Sequence, residues 1–346
     1  MIQQRVAAWQ SRDWQGELAA AVRDPRELAA LLDLPLSALV DADAADDRFP
    51  LRVPRPYVAR MRPGDPQDPL LLQALPARAE LIATPGYGED PLAERAANQV
   101  PGLIHKYFGR VLLILSPACA IHCRYCFRRH FDYAGNTPGR TGWQAALDYI
   151  RRDDSISEVI YSGGDPLAAG DSLLAWLTEQ LAAIPHLKRL RIHTRLPVVI
   201  PARVDAACLS WIAGCRLETS VVLHVNHANE LDANVAAAAR SLRAAGVTVL
   251  NQSVLLAGIN DCAERLATLS EALFSIGVLP YYLHLLDRVQ GAAHFAVDRT
   301  RAMALHTAML ARLPGYLVPR LVEEVPALPY KRPVHQPDLG ESGDVG

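Results

Sequence analysis

Short apolar runs alternate with amphipathic stretches from about residue 105 to about residue 315. Such runs are typical of buried strands, and the stretches between them have helical periodicity. Strands joined by single helices form right-handed parallel units, so the pattern predicts an α/β fold with a partial or full parallel β/α barrel. The predicted strands are Val111–Ser116, Glu158–Ser162, Arg189–Thr194, Glu218–His224, Thr248–Leu255 and Tyr281–Leu286. The predicted helices are 141–152, 171–184, 203–213, 230–245, 262–276 and 298–312.

The chain before residue 105 has a different pattern. Proline is dense between Phe49 and Pro76, which indicates a wrapping or linking segment, and Asp90 precedes a sequence that could open a short helix. We therefore divide the chain into a helical and proline-rich N-terminal extension (1–95), a barrel core (105–315) and a C-terminal segment (316–346). Apolar residues spaced for helix faces predict two or three helices within residues 1 to 48: Val6, Trp9, Trp14, Leu18 and Val22 on one face, and Leu28, Leu31, Leu32 and Leu39 on another.

Composition narrows the classes of function. The 346 residues carry a net charge of −2, which gives no electrostatic argument for a nucleic-acid partner. No secretory signal and no apolar run of about 18 residues is present, so we expect no membrane span and a cytoplasmic protein. Three of the six cysteines, Cys208, Cys215 and Cys262, are scattered and indicate no disulfide framework.

Polar residues gather at the C-terminal ends of the predicted strands. In β/α barrels the chemistry lies on the loops at these ends. The residues concerned are Cys119–Cys126 after the first strand, Ser162–Pro166 after the second, His193–Arg195 after the third, His224–His227 after the fourth, Asn251–Ser253 in the fifth, and His284 and Asp287 after the sixth.

The cysteines Cys119, Cys123 and Cys126 follow the first predicted strand at intervals of four and three. The same spacing could form an apolar helix stripe, but Pro117 and the neighbouring arginines make a poor buried helix. With His130 the cysteines could provide four ligands to a structural zinc ion. Three thiolates could instead hold an iron–sulfur cluster with one open iron, and the nearby arginines suit its negative charge.

The spacing C-x3-C-x2-C after a strand, with Tyr125 inside the last interval, resembles the radical S-adenosylmethionine superfamily. The resemblance implies that Cys119, Cys123 and Cys126 bind a [4Fe-4S] cluster whose open iron chelates S-adenosylmethionine. It also implies that the segment with Gly163, Gly164 and Asp165 lies along the methionine amino group. We assign His224 and Gln252, at the fourth and fifth strands, to cofactor binding as well.

Further segments narrow the resemblance to the lysine 2,3-aminomutase family, over roughly residues 80 to 335. Within the family, the compact N-terminus and the segment Cys123–His130 are most similar to members that make (R)-β-lysine for modification of translation elongation factor P. The matching segments are Pro101–Tyr107, Cys119–His130, Ser162–Asp165, Arg195–Pro201, His224–His227, Asn251–Asp261, Pro280–Tyr282 and Gly315–Pro319.

The resemblance implies roles for residues that the spacing alone does not single out. Lys331 matches the lysine that holds pyridoxal 5′-phosphate, so residues 316–346 become a cofactor-binding segment. Arg110 and Lys106 match positions near the cofactor phosphate. Arg128 matches the arginine that binds the substrate carboxylate, which suits its planar fork.

Asp287 and Glu324 match the two acids that hold the distal ammonium of lysine. The family commonly has aspartate at the second position, so Glu324 keeps the charge on a longer arm. The glycine-rich run before the cofactor lysine is replaced by Ala327–Tyr330, which predicts a stiffer loop.

The resemblance therefore implies an isomerase that converts L-lysine to (R)-β-lysine and is linked functionally to elongation factor P and its β-lysine ligase. One alternative keeps the fold but places the enzyme in free amino-acid metabolism, with lysine or another amino acid as substrate. An alternative of another class is a zinc-stapled binding protein without catalysis. The oligomeric state stays open, and a homo-oligomer is compatible with the sequence.

Overall fold

The computed structural model describes residues 13–39, 42–138 and 142–334. Its strands form one sheet in which spatial order follows chain order from β1 to β10. From β3 to β9 every neighbouring pair is parallel, as the sequence predicts. The strands are β1 Asn98–Val100, β2 Leu103–Tyr107, β3 Arg110–Ser116, β4 Glu158–Gly163, β5 Arg189–Thr194, β6 Glu218–His224, β7 Thr248–Val254, β8 Leu279–His284, β9 Arg320–Glu323 and β10 Arg332–Pro333.

Helices connect the parallel strands, as expected for β/α units. The predicted helix at 203–213 begins only at Ala206, because the Asp205 carboxylate caps it by accepting from the backbone N–H of Cys208 at 2.8 Å. No helix in the described ranges has the length and apolarity that crossing a bilayer requires. The helices of this region are α5 Trp143–Arg152, α6 Asp171–Ala182, α7 Leu196–Val199, α8 Ala206–Ala213, α9 Ala233–Ala244, α10 Ala263–Ser275 and α11 Arg299–Leu310.

The two edges of the sheet were not predicted as strands. The basic segment His105–Arg110, which contains the two residues assigned to the cofactor phosphate, is mostly strand: β2 pairs antiparallel with β3, and Gly109 turns the chain between them with φ 74°. At the other edge β10 pairs antiparallel with β9. Within the described residues no backbone pairing joins β1 to β10, so the barrel is partial rather than closed.

The N-terminal extension forms short helices, but Val6 and Trp9 lie outside the described residues. Between Phe49 and Pro76 the only helix in the described residues is Arg55–Val58, which agrees with the prediction of little regular structure. The prediction of a short helix at Asp90 is wrong. The Asp90 carboxylate accepts from the backbone N–H of Glu94 at 2.9 Å, and the segment forms turns. The helices are α1 Trp14–Ala19, α2 Pro25–Leu31, α3 Ala42–Arg48 and α4 Arg55–Val58.

The extension and the barrel share one hydrophobic core. Leu28, Leu51 and Tyr57 of the extension belong to the same buried cluster as Leu113 on β3 and Leu190 on β5. Burial of large apolar side chains is the main favourable term in folding, and here it acts across the boundary predicted near residue 95. The extension is therefore positioned to support the loops at the mouth of the barrel.

Candidate active site

The loop after β3 rests on the turn after β4. The backbone N–H of Gly164 donates to the Ser116 carbonyl at 2.8 Å, and that of Asp165 donates to the Ala118 carbonyl at 2.8 Å. A Cβ atom at Gly164 would lie 2.6 Å from the Ala118 carbonyl oxygen, and one at Gly163 would lie 2.7 Å from that of Ser116. Glycine is needed at both positions because the backbone leading to the first motif cysteine passes so close.

The three motif cysteines converge in the loop that follows. Burial raises the pKa of Cys119 well above its usual range, and the neighbouring Cys126 and Cys123 raise it further. Burial and Cys123 raise the pKa of Cys126 to about 11. Within the described ranges, no three His, Cys, Asp or Glu side chains are close enough to hold a single metal ion. His130, the fourth ligand of the zinc interpretation, instead has Nε2 3.3 Å from the Gln290 carbonyl. A donor set of thiols alone suits an iron–sulfur cluster.

Two arginines of the cysteine segment form ion pairs with one acid of the N-terminal extension. Arg124 is fully buried and donates through Nε and Nη2 to the two carboxylate oxygens of Glu80, at 2.8 and 2.7 Å. Arg129 donates to Glu80 at 2.8 Å, and the third nitrogen of Arg124 donates to the Phe49 carbonyl at 2.6 Å. These arginines fasten the cysteine loop to the extension.

Arg195, just after β5, makes a contact to the motif that the sequence did not reveal. Its Nη1 donates to the Sγ of Cys123 at 2.7 Å and to the hydroxyl of Tyr125 at 2.7 Å, and its Nη2 donates to Glu230 at 2.9 Å. The available signals were its position at the C-terminal end of a barrel strand and its place in the family-matching segment Arg195–Pro201, and neither indicates a contact to a cysteine.

The carboxylate of Asp165, predicted to bind cofactor, holds two neighbouring loops together. One oxygen accepts from the Thr194 hydroxyl at 2.6 Å and the Leu167 backbone N–H at 3.0 Å. The other accepts from the backbone N–H groups of Arg195 and Leu196 at 2.7 and 2.9 Å. Burial raises the pKa of Asp165, although these hydrogen bonds oppose the shift. The side chain therefore shapes the loops after β4 and β5.

His224 and Gln252 lie side by side, paired in register between β6 and β7. The Nε2 of His224 is 3.3 Å from the hydroxyl of Tyr125, which lies inside the cysteine motif. Burial and the nearby Arg195 lower the pKa of His224 to about 3, so its ring is neutral near pH 7. The side-chain amide of Gln252 has no hydrogen-bond partner in the described part of the chain. Both predicted residues thus lie beside the cysteine loop.

Glu324 lies between two lysines assigned to the second cofactor. Lys106 Nζ donates to its Oε1 at 2.5 Å, and Lys331 Nζ donates to its Oε2. Burial alone would raise the pKa of Glu324, but Lys331 and Lys106 outweigh it and hold the pKa well below its usual range. Arg110 stacks on Tyr107, with 4.5 Å between the guanidinium carbon and the ring centroid. Among the described residues, Arg110 has no ion-pair partner.

Asp287 is an electrostatic neighbour of this carboxylate–lysine group. Burial and the negative charge of Glu324 raise the pKa of Asp287 to about 7, and Lys331 opposes that shift. Glu94 also raises it, which locates the acid of the N-terminal extension near the same space. Of the two acids predicted for a substrate ammonium, Glu324 contacts the predicted cofactor lysine, and Asp287 is near enough for the charges of Glu324 and Lys331 to shift its pKa.

Arg128 is already engaged by a carboxylate. Its Nε and Nη2 donate to the two oxygens of Glu94, both at 2.7 Å, and its Nη1 donates to the Ser162 hydroxyl at 2.8 Å. Burial disfavours its charge, but Glu94 outweighs burial and the pKa of Arg128 is raised. The bidentate geometry is the one expected for recognition of a carboxylate. No sequence pattern indicated Glu94 as the partner of Arg128.

Two histidines complete the surroundings of Lys331. Burial lowers the pKa of His193 and of His284 well below the usual range, and the charge of Lys331 contributes to both shifts. Among the residues that the structure describes, none forms a hydrogen bond with the buried Nε2 of His193. Neutral imidazoles can donate or accept a hydrogen bond, so this space can bind a polar ring or move a proton near Lys331.

Comparison with known proteins gave four relevant findings. The chain matches no protein-family model. It is 50% identical over 323 residues to "L-lysine 2,3-aminomutase" of Escherichia coli (strain K12), covering 93% of this chain and 94% of that protein. It is 47% identical over 331 residues to the protein of the same name from Haemophilus influenzae, covering 96% and 98%. A radical SAM methyltransferase from Sphaerobacter thermophilus, a solved structure, matches 64% of this chain and 68% of its own with TM-score 0.46 and 17% identity.

Proposed function

Because this chain belongs to the lysine 2,3-aminomutase family of radical S-adenosylmethionine isomerases, we propose that it converts L-lysine to (R)-β-lysine, with pyridoxal 5′-phosphate held by Lys331. The observation that supports this most is the convergence of groups distant in sequence. Arg128 pairs with Glu94, Glu94 neighbours Asp287, and Asp287 neighbours the Glu324–Lys331 pair. This set offers a cation for the carboxylate of a free amino acid and acids for a cationic side chain.

We assign the iron–sulfur cluster to Cys119, Cys123 and Cys126, with S-adenosylmethionine beside Gly163, Gly164, Asp165, His224 and Gln252. The thiol-only donor set fits such a cluster. When bound, these cofactors supply a carbon radical able to break an unactivated C–H bond, and pyridoxal phosphate supplies the π-system through which the amine moves. The protein positions lysine and excludes water from the radical.

The acids have a defined task in this scheme. Asp287 and Glu324 hold the distal ammonium of lysine, in place of the ammonium of Lys331 that Glu324 binds in the structure. The longer arm of Glu324, compared with aspartate, lets one carboxylate reach both Lys331 and Lys106. Release of Lys331 from Glu324 then frees its amine for the cofactor.

Arg128 and the basic residues account for the remaining charges. Arg128 binds the substrate carboxylate in one of two ways. Either its remaining Nη2 hydrogen donates to the substrate, or the substrate carboxylate replaces the carboxylate of Glu94 on the guanidinium. Arg110, which lacks an ion-pair partner in the described ranges, is the more available cation for the cofactor phosphate, and Lys106 assists while it holds Glu324. His193 and His284 offer neutral partners to polar groups near Lys331.

We further propose that the β-lysine serves modification of elongation factor P through its ligase, in the cytoplasm. The resemblance of the segment Cys123–His130 to such enzymes supports this destination over free amino-acid metabolism. The test supplies the product, with elongation factor P and the β-lysine ligase, and measures the mass added to the factor. A product that the ligase does not transfer would contradict this destination and leave the isomerase reaction standing.

The reaction itself is tested by reconstitution. The protein is loaded anaerobically with iron, sulfide and pyridoxal phosphate, supplied with S-adenosylmethionine, reductant and L-lysine, and analysed by chiral chromatography with mass spectrometry. We expect β-lysine only when every component is present, and none from Lys331→Ala or Cys123→Ala. Cys215→Ala, a cysteine outside the motif, is the matched control and retains activity.

Two results would contradict the proposal. Full activity and normal cofactor absorbance in Lys331→Ala would refute the cofactor assignment. Zinc without iron or sulfide in the purified protein would support the zinc-stapled alternative instead. L-Glutamate, tested in parallel, is expected to be a poor substrate because Asp287 and Glu324 repel an anionic side chain.

A further inference from the structure

We propose that Arg195 is a positioning residue that sets how readily the cluster on the motif cysteines is reduced, and that Glu230 counterbalances its charge. The proposal rests on the proposed function, since it requires a cluster bound through Cys123. It concerns a buried network that none of the assigned roles includes. Hydrogen bonds to cluster sulfurs and nearby charges are the means by which a protein tunes a cluster's reduction potential.

The contact to the cysteine carries the argument. Nη1 of Arg195 donates to the Sγ of Cys123 at 2.7 Å, and the side chain of Arg195 is only 6% exposed. The same nitrogen donates to the hydroxyl of Tyr125 at 2.7 Å. A permanently charged donor thus lies against a ligand sulfur, in a region where little water screens it.

The counter-charge is equally buried. Glu230 accepts from Nη2 of Arg195 at 2.9 Å, and its side chain is 0% exposed. Its other oxygen accepts from the backbone N–H groups of Asn226 and His227, at 2.9 and 3.0 Å. Burial favours the neutral acid, but Arg195 and these hydrogen bonds outweigh it and lower the pKa of Glu230. The pair is therefore ionised, with the positive member on the side of the sulfur.

The guanidinium is fixed in place by the N-terminal extension. Nη2 of Arg195 also donates to the Gln73 side-chain oxygen at 2.7 Å and to the Tyr57 hydroxyl at 3.0 Å. Both partners are fully buried. Because the guanidinium is held from several directions, its orientation toward Cys123 is fixed. Preorganised charges of this kind cost no reorganisation when charge develops beside them.

Reduction adds one electron to the cluster. A positive charge and a hydrogen-bond donor at Cys123 stabilise the reduced form, so Arg195 favours reduction. The negative charge of Glu230, which binds the other terminal nitrogen of the guanidinium, opposes reduction. Neutralising the two members of one ion pair is therefore expected to shift the reduction potential in opposite directions. A purely structural role for the pair predicts no such opposition.

The experiment is a redox titration of the reconstituted enzyme, followed by electron paramagnetic resonance, without S-adenosylmethionine or lysine. At the midpoint of the unmodified protein, we expect Arg195→Gln to lower the ratio of reduced to oxidised cluster about tenfold, equivalent to a midpoint about 59 mV more negative. Glu230→Gln is expected to raise the ratio severalfold. Tyr57→Phe removes one neutral hydrogen bond to Arg195 and no charge, and is expected to leave the ratio within about twofold.

The outcomes are distinguishable. Shifts in the same direction for Arg195→Gln and Glu230→Gln, or no shift in either with the iron content preserved, would overturn the proposal. If Arg195→Gln fails to hold iron, Arg195→Lys, which keeps the charge, is expected to restore both iron and a near-normal midpoint, and Glu230→Gln still decides the sign. Absence of a cluster in the unmodified protein would instead refute the proposed function.

Discussion

Lys106 on β2 and Glu324 after β9 link the strands next to the two edges of the sheet, with 2.5 Å between Nζ and Oε1. No backbone pairing connects the edge strands β1 and β10 in the described ranges, so this ion pair is a side-chain contact between opposite ends of the sheet. The side chains are only 14% and 10% exposed. Since Glu324 also binds Lys331, the carboxylate of this ion pair also holds the proposed cofactor lysine.

Removing Lys106 should weaken the cofactor-free protein. Lys106→Met leaves Glu324 largely buried with Lys331 as its remaining ion-pair partner, and we expect a loss of about 2 kcal/mol in the free energy of unfolding, measured with urea. The matched control is Arg26→Met, because the Arg26–Asp43 pair is 65% and 61% exposed. That change should cost less than about 0.5 kcal/mol. Equal losses in both variants would argue against the bridging role of Lys106.

Lysine binding should depend on pH through Asp287. Its pKa is about 7 because burial and Glu324 disfavour its charge. A bound ammonium favours the ionised carboxylate, so binding should release a proton below about pH 7, and affinity should fall by up to tenfold per pH unit as the pH decreases further. Calorimetry of the loaded enzyme without reductant, in buffers of different ionisation enthalpy, measures this release.

The control for that experiment is Asp287→Asn. It has no titrating group at this position, so it should bind lysine more weakly at pH 8 and show no proton release attributable to the site. Identical proton release in Asp287→Asn and in the unmodified enzyme would assign the titration to another group.

Replacing Ala327 by glycine should relieve backbone strain in the loop before Lys331. Ala327 has φ 67°, in a turn where the backbone N–H of Leu328 donates to the Val325 carbonyl at 3.2 Å. A left-handed conformation costs a non-glycine residue about 1–2 kcal/mol, so Ala327→Gly should stabilise the protein by up to about 1 kcal/mol despite the added chain entropy. Thermal unfolding measures it.

The matched control is Ala237→Gly, at an exposed position within α9. There glycine should cost about 1 kcal/mol, because the backbone is helical and gains nothing from a positive φ. If both substitutions lower the melting temperature equally, the positive φ of Ala327 does not destabilise the protein.

The turn after β4 should tolerate no side chain at Gly164. A Cβ there would lie 2.6 Å from the Ala118 carbonyl oxygen and 2.9 Å from that of Pro117. Gly164→Ala must displace the loop that carries Cys119, so we expect severalfold less iron per chain after reconstitution and a loss of about 1–3 kcal/mol in stability. Iron assay and thermal unfolding measure the two effects.

Gly170→Ala is the control on the same connection. A Cβ at Gly170 meets no atom within 4 Å, and its φ is −69°, so the substitution should leave the iron content unchanged. Normal iron binding in Gly164→Ala would contradict the claim that this close approach positions the cysteine loop.

The parallel core was predictable because its signals are local. Runs such as Val111–Ser116 bury side chains on both faces, and the intervening helices begin at capping residues such as Asp205. Strands β2 and β9, next to the edges, were missed because Leu103–Tyr107 and Arg320–Glu323 mix polar and apolar residues and become strands only by pairing with a neighbour. Tertiary context decides such segments.

The partners of the buried arginines could not be predicted either. Glu94, Glu80 and Glu230 lie far in sequence from the arginines they bind, and none has a distinctive neighbouring pattern. A buried charge requires a counter-charge, so a partner could be expected in general terms. Which acid binds Arg128 depends on how the extension wraps the barrel, and which acid binds Arg195 depends on how two barrel loops pack together, so neither is local information.

The shared network of Tyr57, Gln73 and Arg195 has a consequence for the order of assembly in the cell. Tyr57 and Gln73 are synthesised well before Arg195 and Glu230. When the extension leaves the ribosome, the arginine that these two residues contact has not yet been made. The nascent thiols of Cys119, Cys123 and Cys126 therefore emerge before their surroundings exist. We expect iron delivery to follow release of the nearly complete chain, which protects unfinished chains from capturing metal in the wrong geometry.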